Sequence, residues 1–231
     1  MPAPPRCLNR GGAGKEAAID TLSTRLAGLR TSRQQDAGWD AAYQQMVRTL
    51  RANGMFTGML DAGQHFPNFV LPSAQGRLVS LAERLAQGPV VLCFFRGEWC
   101  PFCKLTAEAL AEAEPRLAEL GASVLALTPE TGGLPDKFAR RHGERFTVLA
   151  DVDFGVGLAA GVVFKIPPLY RARIQGLDLP LRHGNAAWCL PVPAVFVLAP
   201  DGTIAWRFAD ADFSVRPEPD DIIAAVQRLG M

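Results

Sequence analysis

Two cysteines three residues apart, Cys100-Pro101-Phe102-Cys103, follow an apolar run, Val90-Val91-Leu92-Cys93-Phe94-Phe95, and open a helical pattern. Helical spacing of three puts both sulfurs on one face. The unpaired N–H groups and the positive end of the helix dipole favour a thiolate there. Thiols so placed fall from a pKa of about 8.5 to roughly 3.5–7.5, which makes them reactive near neutral pH. Zinc is a competing use of such a pair, but closing a zinc site takes two more ligands at similar spacing. Cys7, Cys93, Cys189, His65, His142 and His183 are scattered singly. A purely structural disulfide is the other competitor, yet so small a loop gains little from cross-linking. A strand that delivers two cysteines to the first turn of a helix reads as a redox device, with no metal or cofactor.

The rest of the composition narrows the setting. Of 231 residues 48% are hydrophobic, enough for a substantial core, and the net charge of +1 suggests neither nucleic acid nor an anionic membrane as partner. The opening Met1-Pro2-Ala3-Pro4-Pro5-Arg6 lacks the apolar core of a signal peptide, and no run approaches the roughly 20 apolar residues of a membrane span. Five cysteines is a low, odd count that fits a reducing compartment, so a cytoplasmic protein is expected.

The elements that must position the pair follow from periodicity. Residues 1–14, rich in Pro, Gly and Arg, are expected to be disordered. Gly11-Gly12-Ala13-Gly14-Lys15 fails as a phosphate loop, because Glu16 stands where Ser or Thr belongs and no strand precedes it. Residues 15–59 form a helical extension. Ile19, Leu22, Leu26 and Leu29 mark one helix, and Trp39, Tyr43, Met46, Val47 and Leu50 mark a second, with Asp36 as N-cap and Asn53-Gly54 as stop. These helices pack either on the body of the domain or on a second copy, as a homodimer. Residues 60–231 are an α/β domain. A turn at 73–76 precedes a short helix at 80–86, a strand at 89–95 and a helix from about 101 to 120 that Pro115 should kink. Strands at 124–127 and 146–149 alternate with helices near 133–142 and 154–160. Residues 165–190 read as irregular. A strand pair at 194–198 and 203–208 turns on Pro200-Asp201-Gly202, and a last helix begins near Pro217. The fold class is α/β, a central mixed sheet with helices on both faces.

The strand, the Trp99-Cys100-x-x-Cys103 motif, the Pro-bearing helix and Val192-Pro193-Ala194-Val195-Phe196 resemble a thioredoxin-like fold. The resemblance implies that Pro193 is a cis proline facing the dithiol. Gly63-Gln64-His65-Phe66-Pro67-Asn68-Phe69-Val70-Leu71, Leu149-Ala150-Asp151 and Pro200-Asp201-Gly202 are similar to the alkyl hydroperoxide reductase / thiol-specific antioxidant (AhpC/TSA) family, the peroxiredoxins. Phe95-Arg96-Gly97-Glu98-Trp99-Cys100-Pro101-Phe102-Cys103, Trp188-Cys189-Leu190-Pro191-Val192-Pro193 and Asp212-Phe213-Ser214-Val215-Arg216-Pro217-Glu218-Pro219 resemble its subgroup with a Cys-x-x-Cys pair. The resemblance covers roughly residues 60–230 and departs from the family at the chemistry. Cys103 falls on the peroxidatic position, Arg96 on that of a proline and Cys100 on that of a threonine. The strand at 194 begins without the family's arginine, so Arg96 becomes the candidate for the missing charge.

Two mechanisms follow. As a peroxidase, Cys103 attacks a hydroperoxide, Cys100 condenses with the sulfenic acid, and an outside thiol such as thioredoxin or glutathione restores the pair. As a thioredoxin-like oxidoreductase, the more exposed Cys100 attacks a protein or small-molecule disulfide and Cys103 resolves it; Trp99 matches the thioredoxin arrangement, and Pro193 lines the peptide-binding groove. A redox sensor or binding module is the non-enzymatic reading. Among the remaining residues, Cys93 reads as an inert core cysteine, Cys189 as packing or a third redox partner, and Arg216 with Glu218 as a structural ion pair or a group aimed at the site. Phe102 reads as a partly exposed contact, Glu98 as a carboxylate that tempers thiolate formation, and His142 and His183 as loop or surface residues.

Overall fold

The computed structural model describes residues 21–34 and 36–230, so the readings of residues 1–14 and Ile19 lie outside it. In chain order the elements are α1 (Leu22–Gln34), α2 (Ala37–Ala52), β1 (Val70–Pro72), β2 (Leu78–Ser80), α3 (Leu81–Leu85), β3 (Val90–Phe94), α4 (Pro101–Glu119), β4 (Ser123–Thr128), α5 (Leu134–Arg141), β5 (Thr147–Ala150), α6 (Gly155–Ala159), β6 (Val163–Lys165), α7 (Pro168–Ile174), α8 (Leu179–His183), β7 (Cys189–Pro191), β8 (Ala194–Leu198), β9 (Ile204–Ala209) and α9 (Pro219–Gln227). The central sheet runs β5-β4-β3-β8-β9. β3, β4 and β5 are parallel, and β8 and β9 join antiparallel. β3, at the centre, is apolar at every position because both of its faces are covered. Val91, Cys93 and Phe95 point to one core and Val90, Leu92 and Phe94 to the other, as strand alternation requires. The first of these cores holds α4 and both redox cysteines.

α4 starts where the sequence places it. Cys100 is the N-cap with extended backbone, and Pro101 takes the first helical turn, where its missing N–H costs nothing. The helix continues through Pro115 to Glu119. Register across the sheet sets Phe94 opposite Ala194, so Pro193 sits level with the end of β3.

The helical extension packs on the body of its own chain. Tyr43, Met46, Val47 and Leu50 form the buried stripe of α2, capped by Asp36, which accepts the Trp39 N–H at 3.0 Å. The first N–H groups of α1, on Leu22 and Ser23, donate to the Glu218 carboxylate at 3.0 and 2.7 Å. Tyr43 Oη donates to Asp212, which also accepts from the Ser214 N–H, while Arg30 Nε donates to Ser214 Oγ at 3.0 Å. The extension thereby fastens the segment between β9 and α9.

Two expectations need correcting. Residues 165–190 are ordered as α7, a 3-10 turn at Gln175–Leu177, α8 and β7, with β7 pairing β6. Pro168 and Pro180 stand in first helical turns, and Asp178 and Gly184 supply the left-handed corners. His142 and His183 are buried at 8% and 1% exposure, not surface residues. His183 meets the edge of Phe154, and His142 lies between Phe138 and Phe146. Burial holds the His183 imidazole down at about 4, so it is neutral at physiological pH.

Tyr43→Phe removes one donor from the half-buried Asp212 carboxylate and loosens the post-β9 segment. Urea unfolding is expected to show a loss of about 1–3 kcal/mol.

Candidate active site

β3 ends at Phe94, and the next turn carries the charge of the site. The Arg96 side chain is only 1% exposed. Its backbone N–H donates to Cys103 Sγ at 3.4 Å, its Nη1 lies 4.0 Å from Cys100 Sγ, and its Nη2 donates to Tyr170 Oη at 3.2 Å. The guanidinium carbon stands 3.7 Å from the ring centre of Phe213 and 4.6 Å from that of Trp99, so the cation is stacked between aromatic faces. A second buried guanidinium, Arg216, comes from the segment after β9. It interacts with both sulfurs by charge, and its Nη1 donates to the Val215 carbonyl at 2.9 Å. Among the described residues neither arginine has a carboxylate within ion-pair distance.

The two sulfurs are driven apart electrostatically. Burial pushes the Cys100 thiol up, but the hydrogen bond from Cys103 and the charges of Arg96 and Arg216 outweigh it and hold Cys100 down at about 5. Burial pushes the Cys103 thiol well up, and donating its proton to the Cys100 thiolate adds to that. One thiolate and one thiol therefore coexist at neutral pH.

The turn is latched from β4. Gly97, at φ +129°, leaves no room for a side chain, since a Cβ there would meet Glu130 Cδ at 2.6 Å. Glu130, fully buried, accepts the Glu98 N–H at 2.6 Å and pairs with Arg182 of α8 at 3.1 Å. Burial raises the Glu130 carboxyl despite these partners. The Glu98 carboxylate engages Lys104, Lys137 and Arg141 at 3.3, 3.3 and 3.0 Å, so it serves an ion network and does not temper the thiolate as expected.

A cleft of about 220 Å³ reaches Cys100 and is walled by Trp39, Arg96, Trp99, Tyr170 and Phe213, with Arg173 among its lining residues. Cys103 is not on its wall, and Cys100 itself is 1% exposed, so both sulfurs are buried and only Cys100 is addressed by the cleft. The covering side chains from α2, α7 and the post-β9 segment remove the exposure expected for Cys100.

Of the five site residues read from sequence, Cys100, Cys103, Arg96 and Trp99 come together. Pro193 does not line the cleft. It bounds a separate cavity of about 20 Å³ with Cys93, Thr106 and Arg216. No cis peptide bond occurs among the described residues, which corrects the expectation for Pro193; the Val192 N–H is held by the Val162 carbonyl at 2.7 Å, and trans is the intrinsically favoured form. Phe102 is 2% exposed, not a surface contact, because it packs against Phe213. Arg216 makes no ion pair with Glu218, which caps α1 instead. Cys93 is buried and pushed up to about 12 by desolvation, as an inert core cysteine should be. Cys189 Sγ lies 3.6 Å from the Ala187 carbonyl. Tyr170, Phe213 and Glu130 were missed by the sequence reading. Only the Asp212-Phe213-Ser214 stretch carried any signal, and that came through resemblance.

A parallel core extended by antiparallel β8 and β9, with a dithiol at the start of the helix after the central strand, defines a thioredoxin-like fold. The family profile of AhpC/TSA matches residues 62–207, and the chain belongs to that family. Peroxiredoxin Q, chloroplastic, from Triticum aestivum is 29% identical over 104 residues, which span 45% of this chain and 48% of the relative. Thiol-disulfide oxidoreductase ResA from Bacillus anthracis is 29% identical over 93 residues, 40% of this chain and 53% of the relative. The chain thus spans about half the length of these curated relatives. Among solved structures, peroxidoxin BcpB from Mycobacterium tuberculosis superposes with a TM-score of 0.56 at 21% identity, covering 73% of this chain and 97% of that one. A cysteine-to-serine mutant of peroxiredoxin Q from Xanthomonas campestris gives 0.55 at 19% identity, with 73% and 99% coverage. No helix among the described residues is long and apolar enough to cross a membrane.

Titration of thiolate absorbance in the reduced protein should show one sulfur ionising near pH 5. Arg96→Met is expected to move that midpoint upward by about 1 unit or more, because it removes a cation adjacent to the thiolate.

Proposed function

We propose that the chain is a thiol-dependent hydroperoxide reductase in which Cys100, not Cys103, attacks first. The observation that carries this reading is that the cleft opens on Cys100, beside the Arg96 guanidinium, while Cys103 is enclosed and kept protonated. Family membership and the matched peroxiredoxins support the reaction class. This order of attack reverses what the resemblance to peroxiredoxins implies.

The Cys100 thiolate attacks the distal oxygen of ROOH. The O–O bond breaks, the alkoxide takes a proton to leave as ROH, and Cys100 becomes a sulfenic acid. Arg96 Nη1, 4.0 Å from Cys100 Sγ, and Tyr170 Oη, held by the same guanidinium on the cleft wall, are donors for the developing negative charge. Cys103, one turn along α4, then attacks the Cys100 sulfur, and water leaves as the disulfide forms. Proximity favours this step over reaction with a free thiol. An outside thiol of the thioredoxin or glutathione kind restores the pair by exchange. Such a cycle suits a reducing, cytoplasm-like compartment.

Trp99 before the first cysteine and the match to ResA favour a second reading, thiol-disulfide exchange with a protein disulfide. Stopped-flow mixing of the reduced protein with cumene hydroperoxide or a model protein disulfide separates the two. Fast peroxide oxidation lost in Cys100→Ser, with a sulfenic acid trapped in Cys103→Ser, is expected. Slow peroxide reaction beside fast disulfide exchange would sink the proposal.

A further inference from the structure

We propose that the Cys100–Cys103 disulfide is a strong thiol oxidant, which the chain donates to a partner bearing paired thiols. The inference rests on the dithiol cycle proposed above and names the partner of its second half.

The charges of the site carry the argument. Two guanidiniums, Arg96 and Arg216, are buried beside one pair of sulfurs, and no carboxylate among the described residues pairs with either. Nε and Nη2 of Arg216 and Nε of Arg96 have no hydrogen-bond partner. A buried cation without a counter-charge is costly. In the reduced protein the Cys100 thiolate is an anion beside both arginines: Arg96 Nη1 lies 4.0 Å from its sulfur, and Arg216 interacts with it by charge. Closing the disulfide deletes that charge and leaves two buried cations with only neutral partners, aromatic faces, a hydroxyl and a carbonyl. The reduced form is thus stabilised relative to the oxidised form, and that preference makes a disulfide oxidising. A site built to reduce disulfides needs the opposite balance.

The kinetics point the same way, because the guanidiniums stand near both departing sulfurs. A partner thiolate reaches Cys100 through the cleft and bonds to its sulfur. The S–S bond breaks, and Cys103 leaves as a thiolate beside Arg216. A second partner thiolate then attacks the partner's own sulfur in the mixed disulfide, and Cys100 leaves as a thiolate beside Arg96. The partner has lost two electrons and become a disulfide; the chain has gained them, and Cys103 picks up one proton. Cys103 stands one turn from the mixed disulfide and can reverse the first step. Only a second thiol on the same partner competes at comparable effective concentration, which selects paired thiols.

The test equilibrates the oxidised full-length chain with reduced thioredoxin and quantifies all four species after acid quench and alkylation. The expected constant favours reduction of this protein by about a hundredfold or more, about 60 mV at roughly 30 mV per tenfold. Arg216→Gln should lower the constant about tenfold, whereas Arg216→Lys, which keeps the charge, should retain most of it. A wild-type constant near or below unity overturns the proposal even if the Gln variant fails to fold, as does a constant indifferent to both substitutions. No peroxide enters this assay. An oxidising constant beside a slow peroxide reaction upholds the inference and removes the peroxidase reading, while fast peroxide turnover with a thioredoxin-like constant does the reverse.

Discussion

A guanidinium buried beside two sulfurs is the constraint around which this molecule is arranged. Arg96 is 1% exposed, and burying a charge of that size without a carboxylate is costly unless something else answers it. The answer comes from soft partners: the face of Phe213, the face of Trp99, the hydroxyl of Tyr170 and the sulfur of Cys100. These partners come from three separate stretches of chain, so the cation also fixes where those stretches meet. The thiolate is then both the group that Arg96 activates and the counter-charge that Arg96 requires, which ties the stability of the site to its redox state.

The cover of the site explains features that otherwise look peripheral. Trp39 reaches the cleft from α2, and Asp212 and Ser214 fasten the Phe213 segment to Tyr43 and Arg30 of the extension. Trp39, Phe213 and Arg216 all lie outside residues 62–207, the part that matches the AhpC/TSA profile. The matched stretch of this chain carries the dithiol, Arg96 and Tyr170, and its flanking segments carry Trp39, Phe213 and the second cation. Glu130 and Arg182 add a latch from the other side, holding the Gly97–Glu98 peptide in the backbone geometry that only glycine tolerates at position 97.

Local chemistry was legible in the sequence and distant chemistry was not. The Cys100/Cys103 spacing, the apolar strand before it, the Asp36 cap and the Pro200-Asp201-Gly202 turn are short-range patterns, and the structure contains each of them. Arg96 was legible only through the family resemblance, as the candidate for the arginine missing at the strand at 194. Arg216 is far along the chain, and its neighbour Glu218 offered a simpler partner, so nothing local revealed that Glu218 caps α1 and leaves Arg216 to the sulfurs. Tyr170 lay in a stretch that read as irregular but folds in part as α7, opened by Pro168. The order of attack was hidden for a related reason. The family resemblance implies Cys103 at the peroxidatic position, whereas exposure to the cleft depends on side chains from three other elements.

The central claim is that Cys100 carries the thiolate and Cys103 the proton. Brief treatment of the reduced wild-type protein at pH 6 with substoichiometric iodoacetamide, followed by peptide mapping, tests it most directly. The account predicts label on Cys100, with Cys103 alkylated only after unfolding. Preferential labelling of Cys103 in the folded protein would contradict it.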